Sequence, residues 1–482
     1  MTFKRFSVTR LCATALMAGT IFSTSPAGAL SLKEAMAVAL ESNPEIGQAV
    51  ENREAIEFEL RQARGLYLPS IDLEASAGAR GLDNSTRRGL RIDDDPLYPA
   101  DVGISITQTL FNGGGRRAEL ERQAARVDSA SFRVLERSES IALQVVREYL
   151  EYLLQAQIVE ESRQNTGFHQ QMLGDIGSLI SAGTLTEADR QQAQERLLAA
   201  QARLKEAAEE LEAAKIRFYK VVGKPLSNPS RPASVAGALP PTLDAAIGLG
   251  RVNNPRIHVA NADINAADAQ VKAARSRLYP EIVAEGRART GSDIDGNEGR
   301  TSDLQARIVA RWNLYRGGID IANEQEQIRR ASEQRLVLHQ SHREVEEAVQ
   351  ISWDRRLRQA DLAETLRAQS ATNARLVNSY REQLVVGQRS LLDVLGAQNT
   401  RYNVSVLAKT AEYAALFAEY RLLAATGTLL KTMNLQSAKQ SEAYARTEFN
   451  VPEPAPTETY PRVPSRQTND LPFDLLAPIR KQ

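Results

Sequence analysis

The chain has 482 residues with 60 basic and 60 acidic side chains, so formal net charge is zero and no field favours nucleic acid. Aromatic residues make up only 5%, and Ala, Leu, Gln, Glu and Arg dominate. This composition points to long helices packed through narrow small-residue seams and excludes a thick globular core. At the N-terminus, Lys4, Arg5 and Arg10 precede an apolar run from Leu11 to about Phe22, followed by Ala27-Gly28-Ala29. Residues 1–29 read as a cleavable secretory signal, and the run is too short to span a bilayer as a stable helix. The only cysteine, Cys12, falls inside it, so neither disulfides nor lipidation are expected.

Compared with itself, the chain is duplicated. Leu32, Asn43-Pro44 and Pro69 recur as Leu243, Asn254-Pro255 and Pro280, each pair 211 positions apart. Phe111-Asn112-Gly113-Gly114 recurs as Tyr315-Arg316-Gly317-Gly318, and Gly183, Asp189 and Gly223 recur as Gly387, Asp393 and Gly427, all 204 apart. The change of offset places a seven-residue shortening between Pro280 and Tyr315, where a shorter loop is expected. Two copies are too few for a solenoid, so a pseudo-twofold protomer is the better reading. Its units are a first repeat over 30–224, a Pro-rich connector over 225–241, a second repeat over 242–430 and a polar Pro-rich tail over 431–482, read as disordered.

Each repeat opens with a helix, Ser31 to Leu68 and Leu243 to Tyr279, interrupted early by Asn-Pro and ended by Pro69 or Pro280. Alternation of period two follows, the mark of strands with unlike faces. Ile71, Leu73, Ala75 and Ala77 oppose Asp72, Glu74, Ser76 and Gly78, and Val102, Ile104 and Ile106 oppose Gly103, Ser105 and Thr107. In the second copy Ile282, Ala284, Gly286 and Ala288 oppose Glu281, Glu285, Arg287 and Arg289, and Leu304 to Trp312 alternates likewise with Gln305, Arg307 and Arg311. Tyr67, Tyr98, Phe111, Tyr279, Trp312 and Tyr315 cluster at the ends, as interfacial aromatics do in transmembrane barrel strands of about nine residues. Soluble hairpins with one solvated face would show the same alternation. In lipid, however, four strands would leave open edges at several kcal/mol per unpaired group, so other copies must complete the wall. A barrel needs at least about eight strands, and three chains would supply twelve.

A helical pattern then runs from Gly115 to Ser181, and its counterpart from Gly318 to about Val386, each on the order of 100 Å long. The chain reverses at Ala182-Gly183-Thr184 and returns as Ala193, Leu197, Ala200, Leu204, Ala207, Leu211, Ala214 and Phe218, a coiled-coil seam. Tyr402, Val406, Tyr413, Leu416, Tyr420 and Leu423 form the equivalent seam. The two reversals should lie at the end farthest from the strands.

These features together resemble the TolC-type outer-membrane factors. The resemblance spans about Leu30 to Leu430 and rests on the two helix–strand–strand–helix copies, the Leu32-Lys33-Glu34-Ala35 opening with Asn43-Pro44, the Gly-Gly strand exits, and the turn from Val386-Gly387-Gln388-Arg389 through Asp393 to Leu395. It implies a mainly α fold with transmembrane β: a homotrimer joining one twelve-stranded outer-membrane barrel to a periplasmic α-helical coiled-coil barrel. It also implies a passive export duct that docks to an inner-membrane transporter through a periplasmic adaptor. Cargo stays open between drugs or small molecules and secreted protein. The competing reading is a periplasmic coiled-coil scaffold or adaptor with soluble hairpins.

The same resemblance places Asp393 at the closed constriction, where three carboxylates would bind cations, with Asp189 in the equivalent place of the first copy. It matches Arg389 to a basic residue that ties the closed tips together, with Asp189 as partner. Read from the residues alone, Thr186 with Asp189 and Ser390 with Asp393 are helix-start caps. Gly396 stands where better-known members carry a second aspartate, so one acidic ring is expected. Adaptor docking is expected at Gly183, Thr184 and Thr186 and at Gly387, Gln388 and Ser390. At the strand-to-helix exits, Gly113, Gly114, Gly317 and Gly318 meet a need for positive φ and lack the Gly-Lys-Ser/Thr ending of a phosphate loop. His339 and His342, one turn apart, read as a solvated helix face and not as a metal site. No Ser/His/Asp arrangement stands out, so neither an enzyme nor a cofactor is expected.

Overall fold

Ser31 and Thr242 open the two repeats as N-caps, accepting hydrogen bonds from the backbone N–H groups of Glu34 and Ala245. In the computed structural model the described residues are 30–92, 94–181, 183, 185–296 and 298–452; the expected signal over 1–29, Thr184 and the tail beyond 452 lie outside them. Helix α1 (Leu32–Ser42) stops at Asn43 because Pro44 cannot donate to it, and Pro44 becomes the first residue of α2 (Pro44–Gly65). The second copy repeats this with α6 (Leu243–Asn253), Asn254 and α7 (Pro255–Ser276). Both asparagines cap the new helix with their side-chain oxygen and donate from Nδ2 to a distant carbonyl, Asn43 to Val221 and Asn254 to Ala425, each at 3.0 Å. The Asn-Pro pair is therefore a rivet: it bends the opening helix and fastens it to the end of the returning one.

Four strands follow in one antiparallel sheet of order β1 (Ser70–Ala77), β2 (Ala100–Asn112), β3 (Glu281–Ser292) and β4 (Arg300–Arg311). Its register carries the alternation across every strand, with Leu73 opposite Ile104, Ile104 opposite Ala288 and Ala288 opposite Leu304. One face is thus continuously apolar and open, with Leu73 71%, Ile308 73% and Leu304 85% exposed in the single chain. The other is polar and ion-paired: Arg289 meets Asp101 at 3.0 Å, and Arg307 and Arg311 meet Glu285 at 2.7 and 3.0 Å. Three strands exceed the expected nine residues, and β2 carries a register shift between Thr109 and Phe111. The shortening between repeats is uneven, since residues 78–99 join β1 to β2 whereas 293–299 suffice between the longer β3 and β4. The first connection folds around Arg87 on α3 (Ser85–Leu90), a short helix the sequence pattern did not announce; its guanidinium donates to the carbonyls of Ile92 and Asp95.

Helices α4 (Gly115–Ser181) and α8 (Ile319–Val385), 67 residues each, return as α5 (Glu187–Val222) and α9 (Leu391–Ala425). The α5 seam lies as expected: Ala193, Ala200, Ala207, Ala214 and Phe218 are buried, and the intervening leucines are half-buried. No helix among the described residues is long and apolar enough to cross a membrane. The largest apolar cluster sits at mid-length, where Met36, Tyr149, Phe218 and Tyr420 meet.

The expectation of disorder from residue 431 is corrected over its described part. Helices α10 (Leu429–Thr432) and α11 (Ala445–Glu448) lie along α4, and the segment between them runs from Glu139 back towards the strands. The reason is a buried carboxylate that composition cannot reveal. Asp128, 2% exposed, accepts from the backbone of Tyr444 (2.9 Å), Ala445 (2.8 Å) and Arg446 (3.1 Å) and from the Arg446 side chain (2.9 Å). Arg446 continues to Asn265 on α7, which donates to the Pro452 carbonyl, so the strap ties the first repeat to the second. Asp128→Ala strands these buried donors and is expected to cost roughly 3–5 kcal/mol. Removing the exposed pair of Arg358 and Asp354, screened by solvent on every side, should leave stability almost unchanged. Comparing thermal midpoints of Asp128→Ala and Arg358→Ala checks the contrast.

Glu139, buried where α10 meets α4, accepts from Leu430 N–H at 3.3 Å through one oxygen, and its Oε2 has no hydrogen-bond partner. Burial pushes its carboxyl up to about 7, against the opposing pull of the Leu430 and Leu429 N–H groups. Because this lies above the ordinary 4.5, the proton on Glu139 stabilises the fold fully below that value, and the stabilisation is lost as pH rises through about 7. Glu139→Gln should gain on wild type in thermal midpoint as pH goes from 4 to 8, an effect of about 3 kcal/mol for a shift of this size.

Candidate gate and docking tip

The ends of the four long helices meet in one apolar cluster, with Met172 and Ile176 from α4, Ala193 from α5, Leu384 from α8, and Leu391, Val394 and Leu395 from α9. The two reversals therefore share one end of the molecule, remote from the sheet. Each turns on a left-handed glycine, Gly183 at φ 73° and Gly387 at φ 75°. The wrap-around bond from Gln388 N–H to the Gln383 carbonyl, 2.9 Å, closes α8. Gly183, Thr186, Gly387, Gln388, Arg389 and Ser390 are all exposed, as a docking tip requires.

Both aspartates sit at the third position of their helices and complete a capping box. Asp189 Oδ2 accepts from Thr186 N–H (2.8 Å) and Oγ1 (2.7 Å), and Asp393 Oδ2 accepts from Ser390 N–H (3.4 Å) and Oγ (2.9 Å). In each case the bonds fall on one oxygen, and among the described residues Oδ1 has no partner within the chain. Asp393 is exposed and Asp189 half-buried. Arg389 does not reach Asp189 within the protomer. Its guanidinium lies 4.5 Å over the Tyr380 ring and donates to Gln383 at 3.0 Å, which holds it against the end of α8.

Contacts between the repeats near this tip were not legible locally. Arg381 of α8 reaches Asp175 of α4 at 3.7 Å, Gln398 donates to the buried Asn165 at 2.9 Å, and Arg203 donates to Asn399 at 2.7 Å. Polar residues at such places read as a solvated face until the partner helix is known; their recurrence near seam positions is the one signal available. Among the described residues no group of three potential ligands is placed to hold a metal ion.

At the opposite end the strand exits all have positive φ: Gly113, Gly114, Gly317 and Gly318. At Gly113 a Cβ would stand 2.5 Å from the Ser276 carbonyl oxygen, so close approach to α7 also demands glycine. Tyr67, Phe111, Tyr279, Trp312 and Tyr315 are exposed around this boundary, and Trp312 donates to the Leu278 carbonyl at 3.1 Å.

Residues 36–224 and 246–428 match the family described as outer membrane efflux protein, in two blocks that coincide with the repeats. The chain is 26% identical over 444 residues to the outer membrane efflux protein BepC of Brucella suis biovar 1, covering 88% of this chain and 92% of that protein. It is 24% identical over 420 residues to the alkaline protease secretion protein AprF of Pseudomonas aeruginosa, covering 83% and 85%. In fold it resembles the Campylobacter jejuni CmeC outer membrane channel, with a TM-score of 0.73 at 14% identity over 87% of this chain and 88% of that one.

Ser390→Ala removes the hydroxyl that holds the first turn of α9, at a cost of about 1 kcal/mol. Hydrogen exchange at the first-turn amides of α9 should accelerate about fivefold, with mid-helix amides unchanged.

Proposed function

This chain belongs to the outer membrane efflux protein family, and from that premise we propose that three copies close their four-stranded sheets into one twelve-stranded barrel continued by a helical duct through the periplasm. The chain is an outer-membrane channel for export. The observation that carries the trimer is the sheet itself: one face is apolar from β1 to β4, and both outer strands have open edges. A water-soluble scaffold would leave Leu304 and Ile308 facing water, whereas a lipid-facing wall gives them a solvent.

Helices of 67 residues carry the duct on the order of 100 Å from the barrel, far enough to meet a periplasmic adaptor and, through it, an inner-membrane transporter. The exposed reversals at Gly183 and Thr186 and at Gly387, Gln388 and Ser390 are the docking surface. Asp393, repeated three times around the axis, is the selectivity and closure ring. Its Oδ2 serves the cap while Oδ1 is turned to cations, so capping and gating use different atoms of one side chain. Asp189 lines the neighbouring position. Arg389 secures the closed state, held ready by Tyr380 and Gln383. The duct does no chemistry, and its wall suits either class of cargo that the names of BepC and AprF suggest.

Fractionation and bilayer recordings test this reading. The chain should appear in outer membranes as a heat-modifiable trimer; release with the soluble periplasm would refute the channel. Asp393→Ala should weaken block by divalent cations severalfold, and Arg389→Ala should raise single-channel conductance. Wild-type behaviour in both variants would remove the gate assignment.

A further inference from the structure

Each β1 must find a β4 if three sheets are to close, and the charges on these two edges are unlike. On its polar face β1 carries Asp72 and Glu74, and among the described residues neither has a hydrogen bond or ion pair within the chain. On the same face β4 carries Arg307 and Arg311, both directed at the single carboxylate of Glu285. One edge thus has two unanswered negative charges, and the helix-side half of the other has two positive charges sharing one negative, with Asp303 farther towards the loop.

The register says how they meet. Followed straight across the sheet, Ser70 pairs with Thr107, Thr107 with Glu285 and Glu285 with Arg307. Strand β1 begins at Ser70 on the helix side, yet β4 continues past Arg307 to Arg311 before it ends on that side. The sheet therefore steps about four residues towards the helices from β1 to β4, the stagger that strand tilt imposes on a closing barrel. Continued by one strand, the step is about six residues at the next copy's β1. That β1 runs antiparallel to β4, and face parity allows only even steps, because a slip of one residue would turn every apolar side chain into the lumen.

We propose that, in the trimer advanced above and resting on it, Arg311 of one copy lies directly across the seam from Asp72 of the next, with Arg307 opposite Ser76 and diagonal to Glu74. The three seams are then closed by unlike charges on the lumen face as well as by backbone hydrogen bonds. Opposite charges across neighbouring strands attract and like charges repel, so the pattern also disfavours pairing of β1 with β1 or β4 with β4. The fit is to a second copy of this chain in one register.

Paired cysteines read the register directly, because directly opposed residues have Cα atoms about 4.5–5.5 Å apart, within disulfide reach. In outer membranes under mild oxidation, Asp72→Cys with Arg311→Cys should give a covalent trimer, and Asp72→Cys with Gln305→Cys should not. Linkage of the Gln305→Cys pair in its place, with a wild-type trimer intact, would overturn the seam and leave the channel reading standing. A monomeric wild type would overturn both. As a second measure, Asp72→Arg should lower by several degrees the temperature at which the detergent-resistant trimer separates, and adding Arg311→Asp should recover most of the loss. Equal instability of the single and double charge variants, together with no covalent trimer from Asp72→Cys with Arg311→Cys, would count against the pairing.

Discussion

A backbone N–H or C=O group in hydrocarbon has no water to turn to, and the two outer strands of this sheet carry a row of each. This constraint orders the rest of the molecule. It leaves the single chain incomplete in lipid, and closure with other copies, as proposed, pairs the edges. The helices inherit the ring. Strands β2 and β4 hand over to α4 and α8 through glycine pairs, and β1 and β3 are entered from α2 and α7 across Pro69 and Pro280, so the number of strands around the barrel fixes the number of helical ends beneath it.

Stability is distributed unevenly along the resulting length. At mid-height the opening helices, the returning helices and the C-terminal strap converge on a thick cluster that includes Tyr149, Phe218 and Tyr420, with Asn43 and Asn254 riveting the bends. Beyond it the wall thins to paired helices held by alanine seams and a few polar links, and at the tip it depends on one small cluster and two capping boxes. Movement with a low energetic cost is available at the tip and not at the middle. That suits the duct proposed above, opening at one end while its other end stays sealed into a bilayer.

Much of this was legible in the sequence, because duplication lets each weak local signal be read twice. Asn-Pro at both starts, Gly-Gly at both strand exits and the two left-handed glycines at the reversals each gained meaning from their partner. Where no copy exists, reading failed. The strap after Leu429 has no counterpart in the first repeat, its prolines read as disorder, and its anchor Asp128 looks in sequence like any polar helix residue. Strand length was underestimated at the loop ends, where Thr290 to Ser292 and Arg300 to Asp303 stay in the ladder but offer no apolar side chain to continue the alternation. At the candidate gate, the Ser/Thr-x-x-Asp spacing foretold the caps and the fold reproduced them. The role proposed for the spare carboxylate oxygens belongs to the assembly and leaves no mark on a single chain.

The two hairpins of the duplicated unit did not stay equal: residues 78–99 make a tall connection braced on the buried Arg87, while 293–299 make a tight one. A ring of three such units has a crown of alternating merlons and gaps, so its outward face keeps only threefold character although the shaft beneath is nearly sixfold. In such a ring, whatever approaches the mouth from the medium meets the longer connection first. Sequence change selected by such encounters can accumulate there without touching the strands, the exits or the passage they enclose.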